Sequence, residues 1–453
     1  MKNRGRASGK QLKLPLYRDE TSIGEREEDA PVDQEESLME RVLERGNLKR
    51  ALSQVKRNKG TAGIDGMTIE ELTPYLKEHW PDIQAQLLEV SYKPKPVKRV
   101  EIAKTTGGVR MLGIPTVLDR FITQALLQIL QQIFEPTFSE HSYGFRPKRS
   151  AHQAIEQSQK YLRMGYNWVV DIDLEKFFDR VNHDKLMSLV KQRVKDVRIL
   201  KLINRYLKSG SRSNDIGKMS VEGTPQGSPL SPLLANILLD ELDKDKELER
   251  RGHRFVRYAD DCNIYVSSKR AGERVMATTT KYLLKKLKLK VNDSKSAVDR
   301  PWNRTFLGYT FTRGKYYGKR VSEKSIKRFK MEIRRITRRT KGRTIKHIIR
   351  ELRTYIIGWR SYFRLNEVTY VFKELDSWIR RKLRCYILKQ WGRRRYKELK
   401  KRGVGRKLAW NTTKSAHGEW RLSRSPALAF ALPYRYFASM GLPSLYEYKV
   451  RST

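Results

Sequence analysis

Residues 255–266, FVRYADDCNIYV, place two adjacent carboxylates, Asp260 and Asp261, between two short apolar runs. Both runs are rich in β-branched and aromatic residues, so the segment predicts a β-hairpin with the acidic pair at its turn. Adjacent carboxylates repel each other, and a protein that half-buries such a pair usually does so to hold a cation. The competing explanation is that Asp-Asp is simply a common pair in hairpin turns.

A second acidic segment leaves an apolar strand in the same way. Residues 168–179, WVVDIDLEKFFD, carry Asp171, Asp173 and Asp179 at and beyond the end of a predicted strand. Three carboxylates from neighbouring strand ends form the ligand set that holds two Mg²⁺ ions in enzymes that transfer a nucleotidyl group to a 3′-hydroxyl. The two segments together therefore predict a divalent-metal site.

The composition of the chain favours a polyanionic partner. Its 453 residues include 96 Lys and Arg against 50 Asp and Glu, a formal net charge of +46. Charge of this size opposes compaction by self-repulsion, and nucleic acid is the leading candidate to neutralise it. We find no apolar run of 18 residues or more and no signal-like segment, so we expect no membrane association and a cytoplasmic location. With only two cysteines, Cys262 and Cys385, a disulfide framework and a Cys-rich zinc module are excluded.

The pattern of apolar residues predicts an α+β fold with an antiparallel sheet. Helical periodicity is mixed with hairpin signals, and there is no regular βαβ alternation. We predict helices over 38–58 and 118–134, hairpins over 90–115 and 255–266, and a strand over 168–173.

After about residue 316 only amphipathic helices are predicted, which favours a small bundle. Residues 316–410 hold 32 Lys and Arg against 7 Asp and Glu, a net charge of +25. The predicted helices run over 326–336, 345–363 and 371–387. Four aromatic residues have apolar neighbours at helical spacing and are predicted to lie in the core: Trp359, Phe363, Trp378 and Tyr386.

The two acidic segments resemble motifs of reverse transcriptases. Residues 258–261, YADD, are similar to the metal-binding hairpin of that family, and Asp173 with the FFD that follows at 177–179 is similar to its first carboxylate motif. The resemblance implies that Phe178, five residues after Asp173, is the aromatic steric gate of the nucleotide site. Asp171, on the same strand face, stays open as a supporting carboxylate. The residues implied to be catalytic and to bind two Mg²⁺ ions, with Mn²⁺ as a substitute, are Asp173, Asp260 and Asp261.

Further segments resemble the reverse transcriptases of group II introns in particular. Residues 223–230, GTPQGSPL, are similar to a polymerase motif of those proteins, which implies that Gln226 and Gly227 line the nucleotide and template pocket. Residues 287–296 resemble the motif that carries a lysine, here Lys295, near the incoming nucleotide. The resemblance also implies that Lys104 and Arg110, on either side of a Gly-Gly turn, clamp the triphosphate. The alternative is that these two are solvated strand charges.

The same resemblance assigns contacts with nucleic acid. Residues 143–147 resemble the fingers–palm element of these enzymes, residues 306–309 their primer grip, and residues 358–391 their maturase, or thumb, region. Basic side chains of the last segment are expected to contact phosphates along a duplex or a folded RNA. The residues assigned in this way are Tyr143, Arg146, Gly308, Tyr309, Arg360, Arg380, Arg381 and Arg384.

The resemblance covers roughly residues 38–450 and implies a right-hand polymerase. We expect no His- and Cys-containing endonuclease module, as in the bacterial, group IIC-like subset of the family. The predicted domains are a flexible N-terminal extension (1–37), the reverse transcriptase fingers and palm with an antiparallel sheet (38–315), an all-α thumb or maturase bundle, also called domain X (316–391), and a small basic DNA-binding region (392–453).

The implied function is that of an RNA-directed DNA polymerase encoded by a group II intron, which binds the intron RNA, assists its splicing and copies it into cDNA during retrohoming. The implied partners are intron RNA, an RNA template–DNA primer duplex, target DNA and dNTPs, and a homodimer stays open. One alternative is a splicing maturase that binds intron RNA without an active polymerase, which the intact carboxylates disfavour. The other is a free-standing reverse transcriptase of a retron, diversity-generating or defence system, which the maturase-like segment disfavours.

Overall fold

The structure is a computed structural model that describes residues 37–103, 109–210, 227–244, 252–339 and 342–447. Apart from Ser37, the predicted N-terminal extension lies outside these residues. The chain divides into two compact units. The first comprises residues 1–154 and 169–298, and the second comprises residues 155–168 and 299–453.

A group of helices forms around a central helix in the first unit. α1 (Leu38–Leu43) and α2 (Arg45–Asn58) are separated at Glu44, whose non-helical backbone interrupts the single helix predicted over 38–58. Together with α3 (Ile69–Leu88), they pack on α4 (Val117–Phe134). α4 is buried on most sides, so its apolar residues are not confined to one face of the helix.

Further helices continue the chain towards the acidic hairpin. They are α5 (Ala151–Arg163), α6 (His183–Lys191), α7 (Val197–Gly210) and α8 (Ser231–Asp243). α8 is buried along almost its whole length and packs on α4 and α6. This burial gives α8 a fixed position from which its polar side chains can support the neighbouring strands.

A four-stranded sheet carries the acidic segments. Its strands are β3 (Trp168–Ile172), β4 (Arg254–Tyr258), β5 (Asp261–Val266) and β6 (Ala297–Asp299), in the order β4-β5-β3-β6. β4 and β5 are antiparallel and their last pair is Tyr258 opposite Asp261, so Ala259 and Asp260 form a two-residue turn. The hairpin predicted over 255–266 is confirmed. A separate antiparallel pair, β1 (Lys98–Ala103) and β2 (Val109–Ile114), confirms the hairpin predicted within 90–115.

One helix packs closely on this sheet. α9 (Lys269–Tyr282) begins after β5, and Ser268 caps it by accepting a hydrogen bond from the Ala271 backbone. At Gly272 an added Cβ would lie 2.5 Å from Val298 Cγ1 and 3.3 Å from Val266 Cγ2. A residue without a side chain is therefore needed where the helix meets the strands. 

The second unit is mostly helical but contains a short sheet. β7 (Tyr309–Phe311) and β8 (Lys319–Val321) pair antiparallel, which corrects the prediction that only helices follow residue 316. Strands of three residues are too short to show an alternating pattern in the sequence. The helices that follow are α10 (Glu323–Ile336), α11 (Ile345–Tyr362), α12 (Tyr370–Trp391), α13 (Arg395–Lys401), α14 (Arg406–Lys414), α15 (Glu419–Leu422), α16 (Pro426–Ala431) and α17 (Tyr434–Ser439).

An aromatic cluster forms the core between α10, α11 and α12. The Trp359 ring lies 4.4 Å from the Phe329 ring and 4.6 Å from the Phe363 ring, and Phe363 and Tyr386 are buried as predicted. Trp378 is half-buried, and Lys330, Arg334 and Lys382 from α10 and α12 lie near its ring.

The structure as a whole confirms the predicted α+β class, with antiparallel hairpins followed by a helical region. Throughout the described ranges, every helix is too short or too polar to cross a lipid bilayer.

Candidate active site

The turn between β4 and β5 has an unusual backbone conformation. Ala259, its first residue, has φ +56°, in the left-handed region that favours glycine. For a residue with a Cβ this conformation costs about 1–2 kcal/mol. The surrounding structure must therefore hold the turn that carries Asp260 and Asp261.

A buried arginine supplies that support. Arg257 is 0% exposed, and its Nη1 donates hydrogen bonds to the Ala259 carbonyl oxygen at 3.0 Å and to Asn236 Oδ1 at 2.9 Å. Its Nε donates to both carboxylate oxygens of Asp243, at 2.8 and 2.9 Å. Although burial opposes the charged guanidinium, the Asp243 carboxylate raises the pKa of Arg257. The sequence prediction missed Arg257, Asn236 and Asp243; the only signal was the arginine within an otherwise apolar strand.

The segment 141–144 lies against the same turn. The Tyr143 backbone N–H donates to the Arg257 carbonyl oxygen, and the Arg257 N–H donates to the His141 carbonyl oxygen, both at 2.9 Å. A Cβ added at Gly144 would lie 2.3 Å from the Ala259 nitrogen, and Asn236 Nδ2 donates to the Gly144 carbonyl oxygen at 2.8 Å. The turn is therefore enclosed by backbone on one side and by α8 on the other.

Tyr143 and Arg146 were both predicted to contact nucleic acid, and both make contacts within the protein. Tyr143 and Arg146 are each 6% exposed. Arg146 donates to Glu135 Oε1 at 2.9 Å and to the Ser142 carbonyl oxygen at 2.8 Å. These contacts give both residues a place in the scaffold beside the hairpin, and their contact with nucleic acid stays a prediction.

The carboxylates singled out in the sequence come together in space. Asp261 is reached by solvent, but protein atoms crowd its carboxyl group. This loss of hydration, together with the negative charges of Asp260, Asp171 and Asp173, raises the pKa of Asp261 to about 7. Asp171 thus belongs to the same electrostatic cluster as the three predicted ligands, as its position on β3 suggested.

A lysine lies on the same cluster. The Lys295 ammonium is 2.9 Å from Asp173 Oδ2 and forms an ion pair with it. The loop that carries Lys295 is joined to the end of β3. The Asn292 backbone N–H donates to the Asp173 carbonyl oxygen at 2.8 Å, and the Asp173 N–H donates to Ser296 Oγ at 3.0 Å. The predicted nucleotide lysine is therefore held beside a predicted metal ligand.

These residues fit a divalent cation by their chemistry. Carboxylate oxygens are hard ligands that suit Mg²⁺ and Mn²⁺. Loss of hydration and the neighbouring carboxylates raise the pKa of Asp261, and a divalent cation bound among these carboxylates would offset their repulsion. Among the residues that the structure describes, however, no three His, Cys, Asp or Glu side chains are already arranged around one metal position.

The remaining predicted nucleotide contacts are described only in part. Phe178 is half-exposed, in a turn after β3, and its ring lies 5.1 Å from the buried Phe177 ring. Gly227 has φ +127°, and an added Cβ would lie 2.5 Å from the Gly113 carbonyl oxygen. The close approach of β2 thus accounts for this glycine within the protein. Lys104 and Gln226 lie outside the described residues, and so does the side chain of Arg110.

In the second unit, the predicted primer-grip residues are internal. Gly308 has φ +81°, and a Cβ there would lie 3.0 Å from Ser325 Oγ and 3.2 Å from Phe363. Tyr309 is 0% exposed, and its hydroxyl donates to the Tyr362 carbonyl oxygen at 2.6 Å. These contacts fix the chain between β7 and α11, and a role in holding a primer stays a prediction.

Three of the four arginines predicted to contact phosphates bind the C-terminal segment of the same unit. Arg360 Nε donates to the Leu445 carbonyl oxygen at 2.8 Å, and Arg384 Nε to that of Leu432 at 3.0 Å. Arg381 stacks 3.5 Å from the Trp420 ring and donates to the Trp420 carbonyl oxygen. The fourth, Arg380, donates to Ser377 Oγ at 2.9 Å. A helical pattern cannot reveal such contacts, because their partners lie far along the chain.

A basic surface missed by the sequence prediction surrounds two indole rings; we call it the cation–indole face. Lys330, Arg334 and Lys382 lie 5.5–5.8 Å from the Trp378 ring, and Arg381 and Lys382 lie over Trp420. Within the described ranges none of these four cations forms an ion pair. Burial and the neighbouring Arg334, Arg339 and Arg381 lower the pKa of Lys382.

Comparison with known proteins assigns the two parts of the chain to two families. Residues 97–311 match the family described as reverse transcriptase (RNA-dependent DNA polymerase). Residues 326–403 match the family described as group II intron, maturase-specific domain. The first match includes both acidic segments, and the second includes α11, α12 and all four cations of the cation–indole face.

Two sequence relatives and one solved structure are similar to parts of this chain. Protein YkfC of Escherichia coli K12 is 38% identical over 188 residues, which cover 41% of this chain and 49% of YkfC. The group II intron-encoded protein LtrA of Lactococcus lactis subsp. cremoris is 39% identical over 195 residues, 43% of this chain and 32% of LtrA. The solved partial Cas6-RT-Cas1–Cas2 complex is 25% identical, with a TM-score of 0.35, over 54% of this chain and 42% of that one.

The aligned region spans about half of YkfC and a third of LtrA. Along this chain the reverse transcriptase match, 97–311, precedes the maturase-specific match, 326–403, the order expected for an intron-encoded protein. The chain therefore combines a reverse transcriptase part, residues 97–311, with a group II intron maturase-specific part, residues 326–403.

Proposed function

We propose that this protein is an RNA-directed DNA polymerase encoded by a group II intron. The observation that carries the proposal is the electrostatic cluster of Asp173, Asp260 and Asp261, which lies within the part of the chain that matches reverse transcriptases. Fingers and palm would occupy residues 38–315, the thumb or maturase bundle residues 316–391, and a DNA-binding region residues 392–453. The neighbouring family matches, 97–311 and 326–403, support the order of a polymerase part followed by a maturase part.

Members of the reverse transcriptase family generally use divalent metal ions. In our proposal Asp173, Asp260 and Asp261 would hold two Mg²⁺ ions, which Mn²⁺ can replace. When bound, such ions favour deprotonation of the primer 3′-hydroxyl and neutralise the leaving pyrophosphate. The protein's own contribution is to keep the three carboxylates close together in spite of their repulsion, and to present Lys295 and Phe178 beside them, towards the incoming dNTP.

The maturase part supports a second role, because its net charge suits a long phosphate backbone. The proposed partners are the intron RNA during splicing, the RNA template–DNA primer duplex and target DNA during retrohoming, in the bacterial cytoplasm where that RNA is made. A homodimer is compatible with this proposal but is not needed for it.

Primer extension on an RNA template with Mg²⁺ and dNTPs tests the proposal. The Asp260→Asn, Asp261→Asn double variant should lose more than about a hundredfold in rate, since direct metal ligands matter at least as much as their supporting residues. It should remain folded, and its affinity for RNA should stay close to that of the wild type. Asp293→Asn, an exposed carboxylate near Lys295, is the matched control and should keep full activity.

A splicing assay with the same proteins separates the alternatives. In our proposal the wild type stimulates both splicing and primer extension, and the double variant stimulates splicing alone. A wild type that stimulates splicing without extending primers would be a maturase only. One that extends primers without binding its intron RNA would be a free-standing reverse transcriptase. Undiminished synthesis by the double variant would refute the assignment of the carboxylates.

A further inference from the structure

The carboxylates of the proposed site depend on a turn that does not hold its own shape. Asp260 follows Ala259, whose left-handed φ of +56° is unfavourable for a residue with a side chain, and Asp261 begins β5. Asp260 and Asp261 are adjacent carboxylates, so their negative charges repel each other. Both backbone strain and charge repulsion therefore favour movement of this turn away from the cluster.

Arg257 opposes that movement through hydrogen bonds to three residues. One nitrogen, Nη1, reaches the Ala259 carbonyl oxygen at 3.0 Å across the turn. The same nitrogen reaches Asn236 Oδ1 at 2.9 Å, and Nε reaches both oxygens of Asp243. Because Asn236 and Asp243 belong to α8, the planar guanidinium connects the carbonyl of the turn to a fully packed helix.

We propose that Arg257 is a positioning residue for nucleotidyl transfer, which fixes the turn so that Asp260 and Asp261 can bind metal together with Asp173. The proposal rests on the polymerase function proposed above and adds a residue that touches neither metal nor substrate. Asp243 neutralises and orients the guanidinium. Asn236 orients it too, and also binds the Gly144 carbonyl oxygen on the other side of the turn.

Substitution of Gly144 offers a second way to displace the turn that carries Asp260 and Asp261. A Cβ there would lie 2.3 Å from the Ala259 nitrogen and 2.9 Å from the Tyr258 carbonyl carbon, both backbone atoms that no rotamer change can move away. Alanine at position 144 would therefore displace the turn while leaving every contact residue of Arg257 chemically intact. Loss of the Arg257 guanidinium and a steric clash from alanine at position 144 should both displace the turn, and both should therefore weaken metal binding.

The test compares Arg257→Lys with the wild type in two assays. Lysine keeps the charge near Asp243, but a single ammonium cannot reproduce the planar set of contacts. Binding of Mn²⁺ without nucleic acid, followed by electron paramagnetic resonance, should weaken about tenfold or more. In primer extension kcat should fall about a hundredfold, the effect of misplacing reacting groups by about 1 Å. The Kd for the template–primer duplex should not change. Gly144→Ala should shift Mn²⁺ binding and kcat in the same direction.

Arg198→Lys is the matched control for a general loss of stability. Arg198 also forms an ion pair with an aspartate, Asp196, in the same unit, but through α7 and not through the turn. The Arg198→Lys variant should have a lower melting temperature than the wild type and an unchanged affinity for Mn²⁺.

Unchanged Mn²⁺ affinity in folded Arg257→Lys, or a loss no greater than in Arg198→Lys, would overturn the positioning role. The Mn²⁺ assay uses no nucleotide, so it decides this question even if the wild type fails to extend primers, which would refute the proposed function instead.

Discussion

At the scale of single residues, the site is a balance between carboxylate repulsion and the groups that offset it. Lys295 lies 2.9 Å from Asp173, and its positive charge opposes the rise in the pKa of Asp261. Its loop is hydrogen-bonded to the end of β3, so the ammonium is available to Asp173 without an additional loop movement. The charges of Lys295 and of the neighbouring carboxylates thus act together on the pKa of Asp261 in the absence of a metal ion.

This balance predicts a pH dependence of stability in the absence of divalent ions. The pKa of Asp261 is about 7 in the folded protein, against 3.8 for an ordinary Asp, so between about pH 4 and pH 7 the folded state binds more protons than the unfolded state. The free energy of unfolding should therefore fall as pH rises through this range. Urea unfolding with EDTA from pH 5 to pH 8 should show this decrease in the wild type and in Asp293→Asn, and a smaller one in Asp261→Asn. Parallel profiles for wild type and Asp261→Asn would contradict the prediction.

At the scale of elements, α12 organises the second unit through polar contacts as well as apolar ones. Asp376, 7% exposed, accepts hydrogen bonds from Ser444 Oγ at 2.7 Å, from the Leu445 backbone at 2.9 Å and from the Tyr446 backbone at 3.1 Å. Arg360 binds the Leu445 carbonyl oxygen from α11. Two helices therefore fix the segment 444–446 by its backbone.

We predict that Asp376→Ala releases this segment. Hydrogen bonds to a charged group contribute about 1.5–3 kcal/mol each, and the variant removes three of them. Hydrogen–deuterium exchange followed by mass spectrometry should show much faster exchange in peptides that contain Leu445 and Tyr446, with the peptides of α10 unchanged. Glu374→Ala, an exposed acid on the same helix, should exchange like the wild type. Equal protection of residues 444–446 in both variants would show that apolar packing alone holds the segment.

At the scale of the whole molecule, the excess of positive charge is concentrated in one part of the chain. Of the net +46, +25 lies in residues 316–410. The few carboxylates of this region are used to neutralise particular arginines: Glu332 and Glu351 pair with Arg335, Glu351 with Arg343, and Glu398 with Arg402. The cation–indole face has no such partners among the described residues, so its charge is available to an external anion.

This arrangement predicts RNA affinity that depends steeply on salt. If six to ten phosphates are contacted, affinity should fall by about 10³–10⁵ between about 50 and 200 mM salt. Lys382→Ala should reduce the slope of log K against log salt by about one and weaken binding only modestly. Lys269→Ala removes a lysine that is already paired with Glu273, and should leave the slope unchanged. Filter binding or fluorescence anisotropy over a salt series gives both quantities, and a flat salt dependence would contradict a backbone-dominated contact.

Local pattern was enough to predict several features of this protein. Alternating apolar residues predicted the β4–β5 hairpin, helical periodicity predicted α4, α10, α11 and α12, and acidic residues at strand ends predicted the carboxylate cluster. These signals involve neighbours in the sequence, and secondary structure forms from such neighbours. They failed at Glu44 and at β8, where the helix break and the strand are too short to leave a periodic pattern.

Sequence pattern alone was enough to predict the class of fold, the hairpin turn and the acidic residues proposed to carry the chemistry. The long-range contacts are seen only in the folded structure: Arg257 bonded to Asn236 and Asp243, Gly227 against Gly113, and Arg360 bonded to the C-terminal segment. The same is true of the lysine and arginine side chains that lie near the Trp378 ring. The physical reason is that burial and hydrogen bonding depend on partners brought together from distant parts of the chain, and no local pattern encodes their identity.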